Sequence, residues 1–349
     1  MRIAIIPGDG IGKEVTSEVV KVLRAVEQRF GRRFELETLP WSADHYLQSG
    51  VTLPPGGYDL LRGFDAIFVG ALGDPRVPDN RHARDILLGT RFELDLYVNY
   101  RPIRLLDERL CPLKGRGPKD VDFVVFRENT EGLYVGVGGR FKPGTDDEIA
   151  IQEELNTYKG VSRIIRHAFE FARARGLRRV CMADKSNAMA DGHALWQRVF
   201  KEMSPRYPEI EATHYYIDAL AMYMVLDPAQ FQVIVTNNLF GDIITDLAAT
   251  FQGGLGMAAS GNLHPGRTSL FEPVHGSAPK FAGKNIANPI GAIGSLALML
   301  ETLGCGGEAE AVDQAIRGAV RRGQVTSDIG GTLGTTQAGD AIATAVLHD

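Results

Sequence analysis

Residues 2–15 read Arg2-Ile-Ala-Ile-Ile-Pro-Gly-Asp-Gly-Ile-Gly-Lys-Glu-Val15. The apolar run from Arg2 to Ile6 is a buried strand by pattern, and from Lys13 to Arg29 the residues Val15, Val19, Val22, Leu23 and Val26 fall at helical spacing. Strand, glycine turn and helix in that order begin an α/β unit. The turn Gly8-Asp-Gly-Ile-Gly12 invites a dinucleotide-binding reading, yet Lys13 stands where the G-x-G-x-x-G template needs its last glycine. Glu35 and Glu37 serve as the ribose acid only if the usual spacing of about 20 residues is stretched. The segment predicts a tight strand-to-helix turn, with phosphate contact as the alternative role for its glycines.

The same alternation continues downstream. Asp65–Gly70, Leu96–Tyr100, Asp122–Phe126, Arg179–Ala183 and Phe231–Val235 are short apolar runs bounded by polar or turn residues, as expected of strands covered on both faces. Gly160 to Arg175 and Gly291 to Leu303 read as helices, so the class is α/β with mixed sheets flanked by helices. The Gly/Pro-rich segment Leu113–Asp120 and the turn-rich segment Gly253–Arg267 are the expected crossings between lobes. They predict a discontinuous first lobe, residues 1–100 plus 253–349, and a second lobe, residues 101–252.

At 349 residues the chain has room for two domains of about 150 residues each. With 44% hydrophobic and 23% charged residues and a formal charge of -5, it is neither disordered nor collagenous, and it lacks a basic footprint for nucleic acid. Cys111, Cys181 and Cys305 form no C-x-x-C pair, which argues against a zinc site or a disulfide framework. The apolar stretch at the N-terminus is too short for a signal peptide, and Ala292–Leu300 falls short of the ~18 residues of a membrane span. A cytoplasmic protein with no membrane partner is expected. The 40 glycines are an excess that fits either a flexible chain or backbone contact with a ligand.

Several residues carry potential chemistry. Asp242 and Asp246 follow a strand and Asn237-Asn238, and their i, i+4 spacing puts both carboxylates on one helix face. With Asp218 they would make a hard oxygen site for Mg²⁺ or Mn²⁺; the competing reading is a solvated acidic helix start. Arg91, Arg101 and Arg127 lie at or near strand and helix ends, where a planar guanidinium suits bidentate carboxylate capture, although each alone is more often a surface ion pair. Tyr134 and Lys185 are candidate acid and base, or simply core and surface residues. Phe271-Glu-Pro-Val-His275-Gly-Ser-Ala-Pro279 leads through Lys280 to Asn288, a loop of small residues able to approach a nucleotide or to lie on the surface as an Ω-loop. G-x-S-x-G, H-E-x-x-H and Walker A motifs are absent.

Four segments, Ile5–Gly12, Arg127-Glu-Asn-Thr-Glu-Gly-Leu-Tyr134, Asn238-Leu-Phe-Gly-Asp242-Ile-Ile-Thr-Asp246 and Phe271–Pro279, closely resemble the β-decarboxylating dehydrogenases, the isocitrate/isopropylmalate dehydrogenase family. The likeness runs nearly end to end. It implies a two-lobed, non-Rossmann isopropylmalate-dehydrogenase-like fold with the active site in the inter-lobe cleft, and a homodimer with shared sites. It also implies that Arg91, Arg101 and Arg127 hold the carboxylates of a malate core. Asp242 and Asp246 would bind the divalent ion together with Asp218 of the partner chain, which would also be near the substrate. Lys185, likewise from the partner, would take the hydroxyl proton, and Tyr134 would protonate the carbon that loses CO₂. His275, Gly276, Ser277, Ala278, Pro279, Lys280, Asn288 and Asp328 would hold the cofactor.

Leu87 and Leu88 resemble the apolar wall of isopropylmalate enzymes, making 3-isopropylmalate, of leucine biosynthesis, the first expected substrate. Arg84, seven positions before Arg91 and so on nearly the same helical face, keeps homoisocitrate open. Segments near Tyr134 and Val98 resemble tartrate/D-malate enzymes; isocitrate is a further alternative. For the cofactor, Lys280-Phe281 resembles NADP types while Asp328-Ile-Gly-Gly331 resembles NAD types, so use of NAD and NADP is left open. A catalytically silent regulatory subunit would be expected to lack some of Tyr134, Lys185, Asp218, Asp242 and Asp246, and all are present.

Overall fold

In the computed structural model, which describes residues 1–348, the N-terminal strand forms as Arg2–Gly8 and the helix as Gly12–Phe30. Val15, Val19, Val22, Leu23 and Val26 are all buried, as their spacing requires. The chain divides into two units: Met1–Leu96, Arg101–Val121 and the segment from Ala249 onward make the first, Tyr97–Tyr100 and Asp122–Ala248 the second. Among the described residues no helix is long and apolar enough to cross a membrane.

In the first unit the strands lie in the order Glu35–Thr38, Arg2–Gly8, Ala66–Ala71, Ser269–Pro273, Ala259–Leu263. The first four run parallel and the last pairs antiparallel with its neighbour, Ala259 opposite Pro273. Helices Gly12–Phe30, Ile290–Thr302, Gly306–Arg321 and Thr335–His348 pack around one another. The segment Gly253–Arg267, expected to be a crossing, contains a strand instead. Ala259-Ser-Gly-Asn-Leu263 has no apolar run to announce it, and it is held by pairing with Ser269–Pro273.

The glycine turn is filled by protein. Asp9 N–H donates to Ala71 O and Ile11 N–H to Ser277 O, both at 2.8 Å. A Cβ on Gly10 would sit 2.0 Å from Ser277 O, so backbone approach by the 277 loop is what this glycine permits. Asp9 is buried and accepts from Ala43 N–H at 2.7 Å and Gly73 N–H at 2.9 Å, with His82 Nε2 at 2.8 Å. Glu35 and Glu37 form ion pairs with Arg2.

A wide helical turn at Arg84–Leu88 lies just before Arg91. Gly89 N–H bonds to Arg84 O, five residues back, and the Asp85 carbonyl left over accepts from Tyr58 OH at 2.8 Å. A Cβ on Gly89 would lie 2.1 Å from that hydroxyl. The inserted phenol and the missing side chain together open the turn.

In the second unit the parallel order is Asp122–Glu128, Val233–Thr236, Arg179–Asp184, Glu211–Tyr216. Val233, Ile234, Val235, Val180 and Met182 are fully buried in it. Helices Tyr158–Ala174, Ala190–Met203, Ile217–Leu226 and Asn238–Phe251 accompany the strands, and Gly138–Phe141 pairs with Ile149–Gln152 as an antiparallel hairpin. The strand Val98–Arg104 carries the chain from the second unit to the first.

Candidate active site

Arg127 lies in the strand Asp122–Glu128 and is 1% exposed. Its stem crosses Gly241, where a Cβ would stand 2.6 Å from Arg127 Cβ, so the glycine lets the helix Asn238–Phe251 sit against the arginine. From there Arg127 Nε donates to Asn238 Oδ1 at 2.8 Å, and its terminal nitrogen pairs with Asp242. Tyr134 OH donates to the other Asp242 oxygen at 2.8 Å, with the guanidinium 5.2 Å from the tyrosine ring centroid. Asn238 Nδ2 donates to Glu131 O at 2.8 Å and ties down the loop carrying Tyr134. Burial and the Asp242 charge push the Tyr134 phenol above its ordinary pKa, so it is a proton donor over the neutral range. Next to Arg127, Glu128 is 2% exposed, and burial pushes its carboxyl up to about 7 despite bonds from Thr130 and Glu131.

Asp246 is exposed one turn after Asp242 on the same helix. Two carboxylates at that spacing are the oxygen donors that a hard cation such as Mg²⁺ takes from a protein. Asp218 is not with them: its Oδ1 accepts from Lys185 Nζ at 2.6 Å, and among the described residues no three acidic, histidine or cysteine side chains converge on a metal site. The hydrogen bond from Lys185 holds the Asp218 carboxyl below its ordinary pKa. The second unit therefore carries two clusters, Arg127–Asp242–Tyr134 and Lys185–Asp218.

The remaining candidates are in the first unit. Arg91 is 6% exposed and donates to Glu272 Oε1 at 2.9 Å, an oxygen that also accepts from Asn262 Nδ2 at 2.9 Å. Arg101 is also 6% exposed. Leu87 packs on the core cluster of Leu61, Ile86 and Leu94, while Leu88 is half-buried. Arg84 does not share the environment of Arg91: its side chain is 67% exposed, with Asp85 at 3.6 Å. The wide turn rotates the chain less per residue than an α-helix, so counting seven residues back does not return to the same face.

The loop after His275 is shaped for contact. Ser277 Oγ donates to Gly73 O at 2.5 Å, and Ala278 holds the left-handed conformation at φ 38°. Asn288 Nδ2 donates to Asp328 Oδ2 at 3.0 Å. Gly276, Pro279 and Lys280 are exposed, Lys280 Nζ lying 4.8 Å from the Phe281 ring centroid. His275 Nε2 is buried without a hydrogen-bond partner, and burial holds its ring below the ordinary histidine pKa. An orphaned polar atom beside exposed backbone fits a polar ligand such as a nucleotide.

The isocitrate/isopropylmalate dehydrogenase family profile matches residues 2–342, and the chain belongs to this family of β-decarboxylating oxidoreductases. It is 44% identical to a 3-isopropylmalate dehydrogenase of Thermobifida fusca, over 100% of this chain and 98% of that one. It is 45% identical to a D-malate dehydrogenase [decarboxylating] of Escherichia coli, over 100% and 99%. A crystal structure of isocitrate dehydrogenase from Methylococcus capsulatus superposes with a TM-score of 0.90 at 36% identity, covering 99% of both chains. The family and fold expected from the motifs are thus the ones found.

Sequence reasoning missed Glu272, the partner of Arg91, and the residues His193 and Glu154 around Lys185. They sit 181, 8 and 31 positions from the residues they serve, so no local spacing signals them.

Proposed function

We propose that the protein catalyses NAD(P)-linked oxidative decarboxylation of a 2-hydroxy acid with a malate core, with 3-isopropylmalate as first substrate, giving 2-oxo-4-methylpentanoate and CO₂. The observation carrying this reading is the Asp242 carboxylate, which gathers a guanidinium and a high-pKa phenol at the start of the Asp242/Asp246 helix. An anion holder, a proton donor and a cation ligand share one oxygen pair. Arg91, Arg101 and Arg127 bind carboxylates. Lys185 takes the proton of the C2 hydroxyl, and Tyr134 delivers a proton to C3 after CO₂ departs. Asp242 and Asp246 hold Mg²⁺ or Mn²⁺, and His275, Gly276, Ser277, Ala278, Pro279, Asn288 and Asp328 receive the cofactor. When bound, the cation supplies Lewis acidity at the C2 oxygen and the nicotinamide accepts the hydride.

Lys185 and Asp218 belong to the site of a second copy in this reading. Support comes from their distance in role from the Asp242 cluster and from apolar surface left exposed on the second unit. Phe141, Ile149 and Ile151 on the hairpin are 61%, 52% and 55% exposed, and Met222 and Val225 on the Ile217–Leu226 helix are 49% and 42%. Such surface supports an interface between copies.

The exposed Arg84 favours a second reading in which the distal group is polar or anionic, as in homoisocitrate, and the D-malate relative favours a small one. Lys280 suits a 2′-phosphate and Asp328 does not, so both cofactors are accepted. A panel of 3-isopropylmalate, isocitrate, homoisocitrate, D-malate and tartrate, each with NAD or NADP and Mg²⁺, tests all of this by reduced cofactor and CO₂ formed. No turnover of any acid overturns the reading. A Lys280→Asp variant is expected to favour NAD; equal losses with both cofactors would overturn the dual-use assignment.

A further inference from the structure

The Lys185 cluster has a buried layer behind it that the proposed reaction leaves unused. His193, in the helix Ala190–Met203, is 0% exposed, and its Nδ1 lies 2.8 Å from the backbone nitrogen of Lys185. A peptide N–H can only donate, so Nδ1 is the acceptor and the ring proton sits on Nε2. Nε2 is 3.2 Å from both carboxylate oxygens of Glu154, whose side chain is 7% exposed. Glu154 Oε1 also accepts from Asn237 Nδ2 at 2.7 Å, and Asn237 Oδ1 accepts from Phe240 N–H at 2.9 Å, in the first turn of the Asp242/Asp246 helix. One hydrogen-bonded chain therefore runs from Lys185 through His193, Glu154 and Asn237 to that helix. Burial alone would raise the Glu154 pKa, but the bonds from His193 and Asn237 outweigh it and hold the carboxyl below its ordinary value. A buried carboxylate facing Nε2–H polarises the ring and strengthens the Nδ1 acceptor.

The rest of the Lys185 peptide is fixed as well. Its carbonyl accepts from Ala188 N–H at 2.9 Å and Met189 N–H at 2.8 Å. On the preceding residue, Asp184 Oδ1 is 2.9 Å from His214 Nε2 and accepts from Ser186 N–H at 3.2 Å. A flexible side chain with its ammonium on Asp218 thus springs from a backbone that is saturated on both sides. A buried His–Glu pair is an expensive means of satisfying one N–H, since both groups must be taken out of water.

We propose that His193, backed by Glu154 and Asn237, is the positioning residue for Lys185. It sets the direction from which the ammonium approaches the substrate hydroxyl in the second copy's site and anchors it to the helix bearing this chain's own Asp242 and Asp246. The proposal rests on the reading of Lys185 as the base. The test uses the full chain with 3-isopropylmalate or D-malate, whichever is turned over, and the variants Lys185→Met, His193→Leu, His193→Asn and His193→Gln. His193→Leu is expected to lower kcat about 10²-fold, the cost of roughly 1 Å of misplacement. KM for acid and cofactor should stay within about twofold, and the solvent deuterium isotope effect on kcat should rise as proton removal becomes slower. His193→Asn, whose Oδ1 stands where Nδ1 stood, is expected to recover most of kcat, and His193→Gln, whose amide stands at Nε2, is not. Should His193→Leu fail to fold, the comparison of Asn with Gln decides. Wild-type kcat in His193→Leu with Lys185→Met inactive would overturn the positioning role and leave the base standing. Equal loss in all three His193 variants, in step with their Tm, would overturn it too. Activity retained in Lys185→Met would overturn the base itself.

Discussion

Glu128, beside Arg127, shows how closely a buried residue can trade stability for position. Its carboxyl is pushed up to about 7, above the ordinary value of 4.5, chiefly by burial. Between those two values the folded chain holds a proton that the unfolded chain has lost, so stability is greatest on the acid side and falls as pH rises toward 7. At about 1.4 kcal/mol per pKa unit the loss amounts to a few kcal/mol. Glu128→Gln should flatten this slope, as urea midpoints at several pH values between 4.5 and 7 would show. Tyr134→Phe removes the hydroxyl proposed as proton donor while keeping the ring against Arg127. It is expected to lower kcat by about 10² to 10⁴ with little change in KM, measured by initial rates. At this scale the sequence marked Tyr134, Arg127 and Asp242 by their motifs, and the structure brings the three into contact. It was silent where the partner is distant: nothing near Arg91 announces Glu272, because a helix residue meets a strand residue 181 positions away.

At the scale of elements, the regular pieces follow from periodicity and the irregular ones from single contacts. The helix Tyr158–Ala174 and the strand Arg179–Asp184 lie within a few residues of where their patterns put them. The wide turn at Arg84–Leu88 was invisible, since it arises from the hydroxyl of Tyr58 and the bare Cα of Gly89, 31 residues apart. Gly89→Ala should cost about 1–3 kcal/mol by overpacking against that hydroxyl. The cost should shrink in a Tyr58→Phe background, a coupling that a double-mutant cycle of urea unfolding would read. Gly241→Ala, by contrast, meets the Arg127 stem and should lower kcat/KM with a smaller change in Tm. Comparing the two separates a glycine that shapes a turn from one that seats the Arg127 side chain.

For the whole molecule, the separation of Lys185–Asp218 from Arg127–Asp242–Tyr134 predicts complementation between chains. Mixing inactive Tyr134→Phe with inactive Lys185→Met under exchange gives, at random pairing, half heterodimers with one intact site of two, hence roughly a quarter of wild-type activity. Activity that stays at the level of the parents would show that each chain completes its own site. The division into units also bears on how the chain is made. Strand Arg2–Gly8 pairs with Ala66–Ala71, which pairs in turn with Ser269–Pro273, and helix Gly12–Phe30 packs on Thr335–His348. The sheet and helix around residues 2–30 therefore wait for segments near residues 270 and 340, while nearly all of the second unit lies in the contiguous span 122–248. Contacts distant in sequence form slowly. During refolding, amides of Val233–Thr236 should gain protection from exchange before those of Arg2–Gly8, and the newborn strand Arg2–Gly8 should lean on chaperones until the ribosome has delivered Ser269–Pro273 and Thr335–His348.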